Sequence, residues 1–279
     1  MPRKKLAIDI GMTNIDLILK SNSEYVMKMI RNREPLAVDQ VRQALSAIER
    51  HLTPDMHIGV TGGHYRELPP IVDGYKLHQV NEMLALGRGG LILANAESGL
   101  VVSAGTGVAM VAATTDDVRH VTGSAVGGGT LLGLSRLILN TVNVIEIDQL
   151  AQAGDASAVD IMLSEAVGGE VGLLPSNANA VNLGKLDRWN SFSRENLAAG
   201  LVRLVAQVIA VIAINAANSV DLEKIILVGH LMDLESIRKE INLVGEFYDR
   251  DFIVPEKPGF GTAMGVMTML SKLGVTDPL

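Results

Sequence analysis

The chain has 279 residues, enough for two compact domains or one large one. Its formal net charge is −7 and only 3% of its residues are aromatic, so we expect neither a broad basic surface nor stacking platforms for nucleic acid. The absence of cysteine excludes disulfides, thiolate metal sites and a cysteine nucleophile. We therefore expect a cytoplasmic protein with no nucleic acid and no anionic membrane among its partners.

The first part of the chain alternates short apolar runs with two segments of helical spacing. Because only Met12–Asn14 separate the first two apolar runs, those runs are predicted to form a hairpin. Asn81 is a suitable cap for the second helix. The predicted strands are Lys5–Gly11, Ile15–Lys20, Tyr25–Ile30, His57–Val60 and the strand-like Tyr75–Val80, and the predicted helices are Val38–His51 and Asn81–Ala94.

The second part begins in the same way, with a strand, a glycine turn and another strand. The predicted strands are Gly99–Ala104, Val108–Ala113, Lys224–Gly229 and Asp251–Val254, and Val167–Asn190 is expected to be irregular. The predicted helices are Gly127–Leu139, Ile147–Ala153, Ala156–Ala166, Arg194–Asn218, Leu234–Leu243 and Gly259–Leu273. Alternating strands and helices predict an α/β protein. We expect domains at 1–96 and 97–279, and the last helix can pack back on the first domain.

One predicted helix, Arg194–Asn218, contains a long apolar run, Leu201–Ala217. Such a continuous run does not suit a helix with one wet face. Polar residues within it, Arg203 and Gln207 among them, leave it short of a clean membrane span. We therefore expect this helix to be buried between domains or to form a homodimer interface.

The first glycine turn is the segment Asp9–Asn14. Backbone amides and the Thr13 hydroxyl at such a turn can hold phosphate oxygens. Asp9, at the end of the strand, can hold a hydrated Mg²⁺ ion, which prefers carboxylate and water oxygens. The alternative is a plain hairpin turn in which Gly11 serves only the backbone angle.

Two further glycine segments strengthen the prediction of a nucleotide site. Gly105-Thr106-Gly107 lies between two predicted strands, as the first turn does. Two such turns, one in each half, can clamp a triphosphate from both sides of a cleft. Gly127-Gly128-Gly129 opens a helix whose dipole favours an anion, although a flexible loop and cap would have the same sequence.

Competing nucleotide and hydrolase motifs are absent from the sequence. There is no GxxxxGK[ST] segment, no GxGxxG segment between a strand and a helix, and no GxSxG segment. One carboxylate does stand out, because Glu82 starts a predicted helix directly after a strand-like segment. It can accept a hydroxyl proton there, or simply be an acidic residue that the helix dipole stabilises.

Taken together, these segments resemble the type II pantothenate kinases, which belong to the superfamily of acetate and sugar kinases, heat-shock ATPases and actin. The resemblance is carried by Asp9–Asn14, Val60–Gly63, Asn81–Met83 with Arg88-Gly89, Ala104–Gly107 and Val121–Leu134. It implies a two-domain actin-like ATPase fold (ribonuclease H-like) with a central interdomain cleft.

The resemblance also implies an activity, cofactors and site residues. It implies transfer of the ATP γ-phosphoryl group to pantothenate, the first step of coenzyme A synthesis, by a homodimer that uses Mg²⁺. Glu82 would be the catalytic base. The residues implied for ATP and phosphate are Asp9, Gly11, Thr13, Gly105, Thr106, Gly107, Gly127, Gly128 and Gly129, with Asp9 also at the metal.

Four positions depart from the family pattern, and one of them is the aromatic residue expected before the last helix, which is replaced by Ile253 or Val254. Met12 replaces the second glycine of the phosphate turn, Asp16 stands where the family has a lysine, and His120 stands where an arginine helps to hold the substrate. Arg119 lies next to His120, so both are candidate substrate-binding residues. The departures leave open two alternatives: an ATPase without a small acceptor, such as a reactivating chaperone or regulator, and a non-catalytic nucleotide sensor or scaffold.

Overall fold

A computed structural model describes residues 4–21, 24–172, 174–188 and 191–272. The chain divides into two compact units. The first takes in the described residues of Met1–Val101, Val111–His120 and Pro255–Leu279, and the second comprises Val102–Met110 and Val121–Val254. The predicted boundary after residue 96 remains a prediction.

The described residues form two main sheets and several helices. The strands are β1 Lys5–Ile10, β2 Asn14–Ser21, β3 Glu24–Arg31, β4 His57–Gly62, β5 Ile71–Val72, β6 Tyr75–Gln79, β7 Ser98–Ala104, β8 Val108–Thr114, β9 Val118–Ser124, β10 Ile161–Met162, β11 Asn179–Val181, β12 Ile225–Val228 and β13 Phe252–Ile253. The helices are α1 Ala37–Ala47, α2 Glu82–Leu93, α3 Gly128–Ile138, α4 Val144–Ala153, α5 Leu163–Ala166, α6 Arg194–Ser219, α7 Glu235–Tyr248 and α8 Gly261–Lys272.

The first sheet has the strand order β3-β2-β1-β4-β6-β5. Strands β1 to β3 form an antiparallel meander, whereas β1, β4 and β6 run parallel. Side chains alternate across the sheet. On β1, Leu6 and Ile8 belong to a core that includes residues of α1, while Ala7 belongs to a core that includes residues of α8. Each face of the sheet is therefore covered by a helix.

Helices α2 and α8 approach each other unusually closely in the first unit. A Cβ atom added to Gly89 would lie 1.8 Å from the carbonyl oxygen of Gly261, and one added to Gly265 would lie 1.8 Å from that of Ala85. Only a residue without a side chain fits at either position. The glycines therefore set the distance between the two helices.

The second sheet has the strand order β13-β12-β7-β8-β9. Strand β9 is absent from the predicted elements. Its burial pattern explains the omission: both Arg119 and His120 are exposed, and no buried side chain marks the strand. Hairpin pairing in the sheet, rather than an apolar run, defines β9.

Helix α6 is mainly a core helix of the second unit. Its buried residues recur along its whole length, from Ala198 to Ala217, and it packs against α4 and α7. It is long and apolar enough to cross a membrane, but 61% of its most apolar window is buried inside the protein, as in a core helix. Burial within the unit accounts for the apolar run.

The predicted helix Ala156–Ala166 is wrong. The structure has a short 3-10 turn at Ala156–Ala158, then β10 and α5. The Asp155 carboxylate accepts the amide of Ser157 at 2.8 Å, and the buried Asp160 carboxylate accepts the amide of Leu183 at 2.7 Å. The amides of Leu163 and Ser164 donate to the carbonyls of Ala178 and Ser176, at 2.9 and 2.8 Å, so they do not form the bonds of a continuous helix.

Candidate active site

The carboxyl ends of three parallel strands bring the predicted residues of the first unit to one edge of the sheet. Asp9 of β1 lies directly beside Thr61 of β4. The Thr61 hydroxyl in turn donates to the carbonyl of Val80, at 2.8 Å. Val80 directly follows β6 and lies two residues before Glu82. Ligands of α/β sheets bind at such an edge. The structure therefore places Asp9 and Glu82 at the same edge of one sheet.

The turn after β1 is the predicted hairpin, and it requires glycine for steric reasons. A Cβ atom at Gly11 would lie 2.8 Å from the carbonyl oxygen of Asn14. Asn32 stabilises the turn, because its side-chain amide donates to the Gly11 carbonyl at 2.8 Å and its backbone amide donates to the Thr13 carbonyl at 2.9 Å. The Met12 side chain is 82% exposed and lies outside the core. Asn32 thus holds the turn in place, and the Met12 side chain is exposed to solvent.

Glu82 is the first residue of α2. The predicted cap is confirmed, since the Asn81 side chain accepts the amide of Leu84 at 3.1 Å. Burial raises the pKa of the Glu82 carboxyl above its ordinary value of 4.5, even though a helix start favours the charged form. Within the described ranges, its carboxylate has no hydrogen-bond or ion-pair partner. A desolvated carboxylate with no partner is poised to accept a proton from a ligand.

In the second unit, the two glycine segments lie directly against each other. The amide of Gly128 donates to the carbonyl of Gly105, and that of Gly129 donates to the carbonyl of Thr106, both at 2.8 Å. Added Cβ atoms at Gly127, Gly128 or Gly129 would each meet this turn at 2.8–2.9 Å. Close packing of the Gly105–Gly107 turn against the start of α3 therefore explains why positions 127–129 are glycine. The amides of Gly128 and Gly129, which were predicted to face a ligand, already have backbone partners.

A further carboxylate, which was not among the predicted site residues, lies beside Asp9. Asp16 of β2 pairs directly with Asp9 across the antiparallel ladder. The two residues stand at equal distances from the centre of the turn at Met12-Thr13. The predicted turn, Met12–Asn14, has three residues and is centred on Thr13, so it would place Asp9 opposite Leu17. The observed register is shifted and brings Asp16 opposite Asp9.

Oxygen donors at this edge fit the Mg²⁺ ion that the resemblance implies. The carboxylates of Asp9 and Asp16 are hard ligands of the kind that Mg²⁺ prefers. Among the described residues, no group of three or more His, Cys, Asp or Glu side chains could hold a metal alone. A Mg²⁺ ion here would therefore complete its coordination with water and phosphate, as is usual for this ion at phosphate sites.

Comparison with known proteins identifies the family. The model of the Fumble family matches residues 98–269, more than half of the chain. The chain belongs to the Fumble family. Similar curated proteins include the type II pantothenate kinase of Oceanobacillus iheyensis, 26% identical over 81% of this chain and 84% of that protein. The type II pantothenate kinase of Bacillus cereus strain G9842 is 26% identical over 77% and 82%. The predicted relationship to the type II pantothenate kinases is confirmed.

Solved structures show the fold of this Fumble-family chain. The activator of 2-hydroxyisocaproyl-CoA dehydratase from Clostridium difficile, with bound ADPNP, superimposes with a TM-score of 0.67 at 15% identity and covers 99% of both chains. A ROK family glucokinase from Streptomyces griseus, in complex with glucose and AMPPNP, has a TM-score of 0.60 at 14% identity, covering 95% of this chain and 98% of its own. The predicted two-domain actin-like ATPase fold is confirmed.

Strand β9 distinguishes the two substrate-binding candidates of this Fumble-family chain. The Val118 side chain faces α2, since a Cβ atom added to Gly87 would lie 2.6 Å from it. Side chains alternate along a strand, so His120 lies on the same face as Val118, and Arg119 lies on the opposite face. His120, not Arg119, therefore shares a sheet face with the helix that carries Glu82.

Proposed function

We propose that this protein is an ATP-dependent kinase that transfers the γ-phosphoryl group of ATP to the hydroxyl of pantothenate, or of a related small substrate, in coenzyme A biosynthesis. The observation that carries the proposal is Glu82, a desolvated carboxylate that has no partner among the described residues and lies at the sheet edge that also holds Asp9. Membership of the Fumble family and the type II pantothenate kinase relatives support the same activity.

Glu82 acts as the general base in this proposal. Its carboxylate accepts the proton of the acceptor hydroxyl as that oxygen attacks the γ-phosphorus, and ADP leaves with the former bridging oxygen. Burial raises the pKa of Glu82, which makes it a better base than an exposed glutamate. The rest of the rate enhancement comes from positioning and charge stabilisation, as is usual in phosphoryl transfer.

ATP and Mg²⁺ are the proposed cofactors. The turn residues Gly11 and Thr13 would hold phosphate oxygens in the first unit, beside Asp9, which would orient the water shell of the ion. Gly105, Thr106 and Gly107 would form the second phosphate contact, and Gly127–Gly129 would line the nucleotide pocket. When bound, Mg²⁺ would neutralise charge that develops on the phosphates.

We also propose a cytoplasmic homodimer that binds neither nucleic acid nor membrane. The net charge of −7 and the lack of cysteine support this setting. Because α6 is already buried in its own unit, a dimer would have to use other surface as well. Light scattering at micromolar concentration tests the dimer, and a monomer would refute it.

Labelled ATP with a panel of acceptors tests the kinase. We expect transfer of the label to pantothenate or to a related pantoyl-type alcohol, and loss of transfer but not of nucleotide binding in Glu82→Gln. Retention of full transfer in that variant would refute Glu82 as the base. Absence of transfer to every acceptor, with normal ATP binding, would refute the kinase assignment.

A second candidate is an ATPase without a small acceptor. The observation that favours it is His120, which cannot form the bidentate fork of an arginine with a substrate carboxylate. Release of ADP measured with and without pantothenate separates the two functions. A rate that is unaffected by any acceptor would favour the ATPase, whereas stoichiometric coupling of ADP to a phosphorylated acceptor would exclude it.

A further inference from the structure

Two carboxylates stand side by side at the phosphate turn. In the β1–β2 hairpin, Asp9 is paired with Asp16, as Ala7 is paired with Ile18. Residues directly paired across a ladder project from the same face of the sheet, with Cβ atoms about 4.5–5.5 Å apart. Ala7 and Ile18 both belong to the core that includes α8 residues, so Asp9 and Asp16 project from that face, beyond the end of that core.

Burial makes this arrangement electrostatically important. Asp16 is only 6% exposed, and Asp9 is partly buried. Charges close together in a partly buried place interact several-fold more strongly than they do in water. The hairpin turn that joins the two strands, Gly11–Thr13, is the proposed binding site for phosphate oxygens. An anionic ligand would therefore approach two negative side chains rather than one.

The family resemblance predicts a lysine at position 16, which would balance the charge of Asp9. With Asp16 in its place, the formal charge of the pair is −2 instead of zero. ATP is itself a polyanion, so a divalent cation at this turn would favour its binding. Two carboxylates with water and phosphate oxygens are a suitable donor set for a divalent ion.

We propose that Asp16 is a second carboxylate of the metal–nucleotide site, so that a divalent cation here performs the charge neutralisation that a lysine would otherwise provide. The inference rests on the proposed function and goes beyond it by assigning a role to Asp16. Nucleotide binding by this protein then depends steeply on Mg²⁺, and the pair of aspartates binds a divalent ion even before ATP arrives.

Nucleotide binding and metal binding, rather than activity, are the readouts that test this inference. The affinity for AMPPNP is measured by calorimetry over a series of Mg²⁺ concentrations, from chelator to saturation, for wild type, Asp16→Asn and Asp16→Lys. Binding of Mn²⁺ alone is measured by electron paramagnetic resonance. The matched control is Asp116→Asn, which removes the same charge from an exposed loop position of the first unit.

Wild type should bind AMPPNP only with Mg²⁺. Asp16→Asn should raise the half-saturating Mg²⁺ concentration, and weaken Mn²⁺ binding, by about 10- to 100-fold, the usual effect of losing a group that supports a metal. Asp16→Lys should bind AMPPNP in chelator, and Asp116→Asn should match wild type. If Asp16→Lys does not fold, the nearly isosteric Asp16→Asn still decides the question.

Unchanged Mg²⁺ dependence and Mn²⁺ affinity in Asp16→Asn would overturn the inference while leaving the kinase assignment intact. Failure of wild type to bind AMPPNP at saturating Mg²⁺ would overturn both. Phosphoryl transfer by wild type, measured in parallel, keeps the two failures distinguishable.

Discussion

Replacement of Glu82 by glutamine should separate catalysis from stability. The substitution keeps the size of the side chain and removes its charge. Loss of a positioned general base typically costs roughly 100- to 10,000-fold in rate, which is about 2.7–5.4 kcal/mol in activation free energy. Glutamine cannot accept the hydroxyl proton as a carboxylate does, so we expect a loss within this range and little change in affinity for ATP.

The same substitution should stabilise the folded protein at neutral pH. Burial raises the pKa of Glu82 above 4.5, so the folded state holds this proton more tightly than the unfolded chain. Stability of the wild type therefore falls as pH rises from 4.5 through the raised pKa. Glutamine removes the cost of the desolvated charge, and a single stabilising substitution commonly gains about 0.5–2 kcal/mol.

Urea denaturation and single-turnover kinetics check these two effects together. The gain in the free energy of unfolding should be present at mildly alkaline pH and should vanish below pH 4.5, where wild-type Glu82 is protonated. The exposed Glu97 provides the matched control, since Glu97→Gln should change neither quantity. A rate loss below about tenfold, or a Glu82→Gln protein less stable than wild type at alkaline pH, would refute the reasoning.

Three further predictions concern other parts of the two units. Burial raises the pKa of Asp160 from 3.8 to about 6, so the free energy of unfolding should fall by about 3 kcal/mol as pH rises from roughly 4 to above 6. Asp160→Asn should abolish this pH dependence in urea denaturation. An unchanged pH dependence would show that Asp160 is not the titrating group. Gly265→Ala should destabilise the first unit by about 1–3 kcal/mol and lower kcat, because the new methyl group meets a backbone carbonyl of α2 at 1.8 Å. The control is Gly133→Ala, which should do neither, because a methyl group at Gly133 has no atom within 4 Å. Pantothenate turnover should be weak in wild type, and His120→Arg should lower KM for pantothenate because arginine can form a bidentate fork with the substrate carboxylate. Arg119→Ala should have little effect on this KM. A large effect of Arg119→Ala, together with no effect of His120→Arg, would show that the two faces of β9 are assigned wrongly.

Local patterns in the sequence were sufficient for the elements around the phosphate turn. The apolar runs on either side of Met12–Asn14 predicted the β1–β2 hairpin, and Asn81 predicted the start of α2. Both features depend on residues within a few positions of each other, through turn geometry and capping. The candidate base Glu82 followed from its position at that helix start together with the family resemblance.

Long-range packing decided what local patterns could not. The helix predicted at Ala156–Ala166 was replaced by shorter elements, because Ile161 and Met162 pair in an antiparallel ladder with the distant segment Asn179–Val181. The strand β9 has no buried alternation to reveal it and exists because it pairs with its neighbours in the sheet.

The chemistry of the candidate site was likewise divided between sequence and tertiary structure. Sequence alone determined that Asp9, Glu82 and the glycine segments were present, and which departures from the family pattern accompany them. Tertiary structure decided that Asp16 lies beside Asp9, that the amides of Gly128 and Gly129 are already bonded, and that Glu82 is desolvated. The physical reason is that burial and cross-strand register arise from segments far apart in the chain, and those two quantities set the charge, the pKa and the available donors of a site.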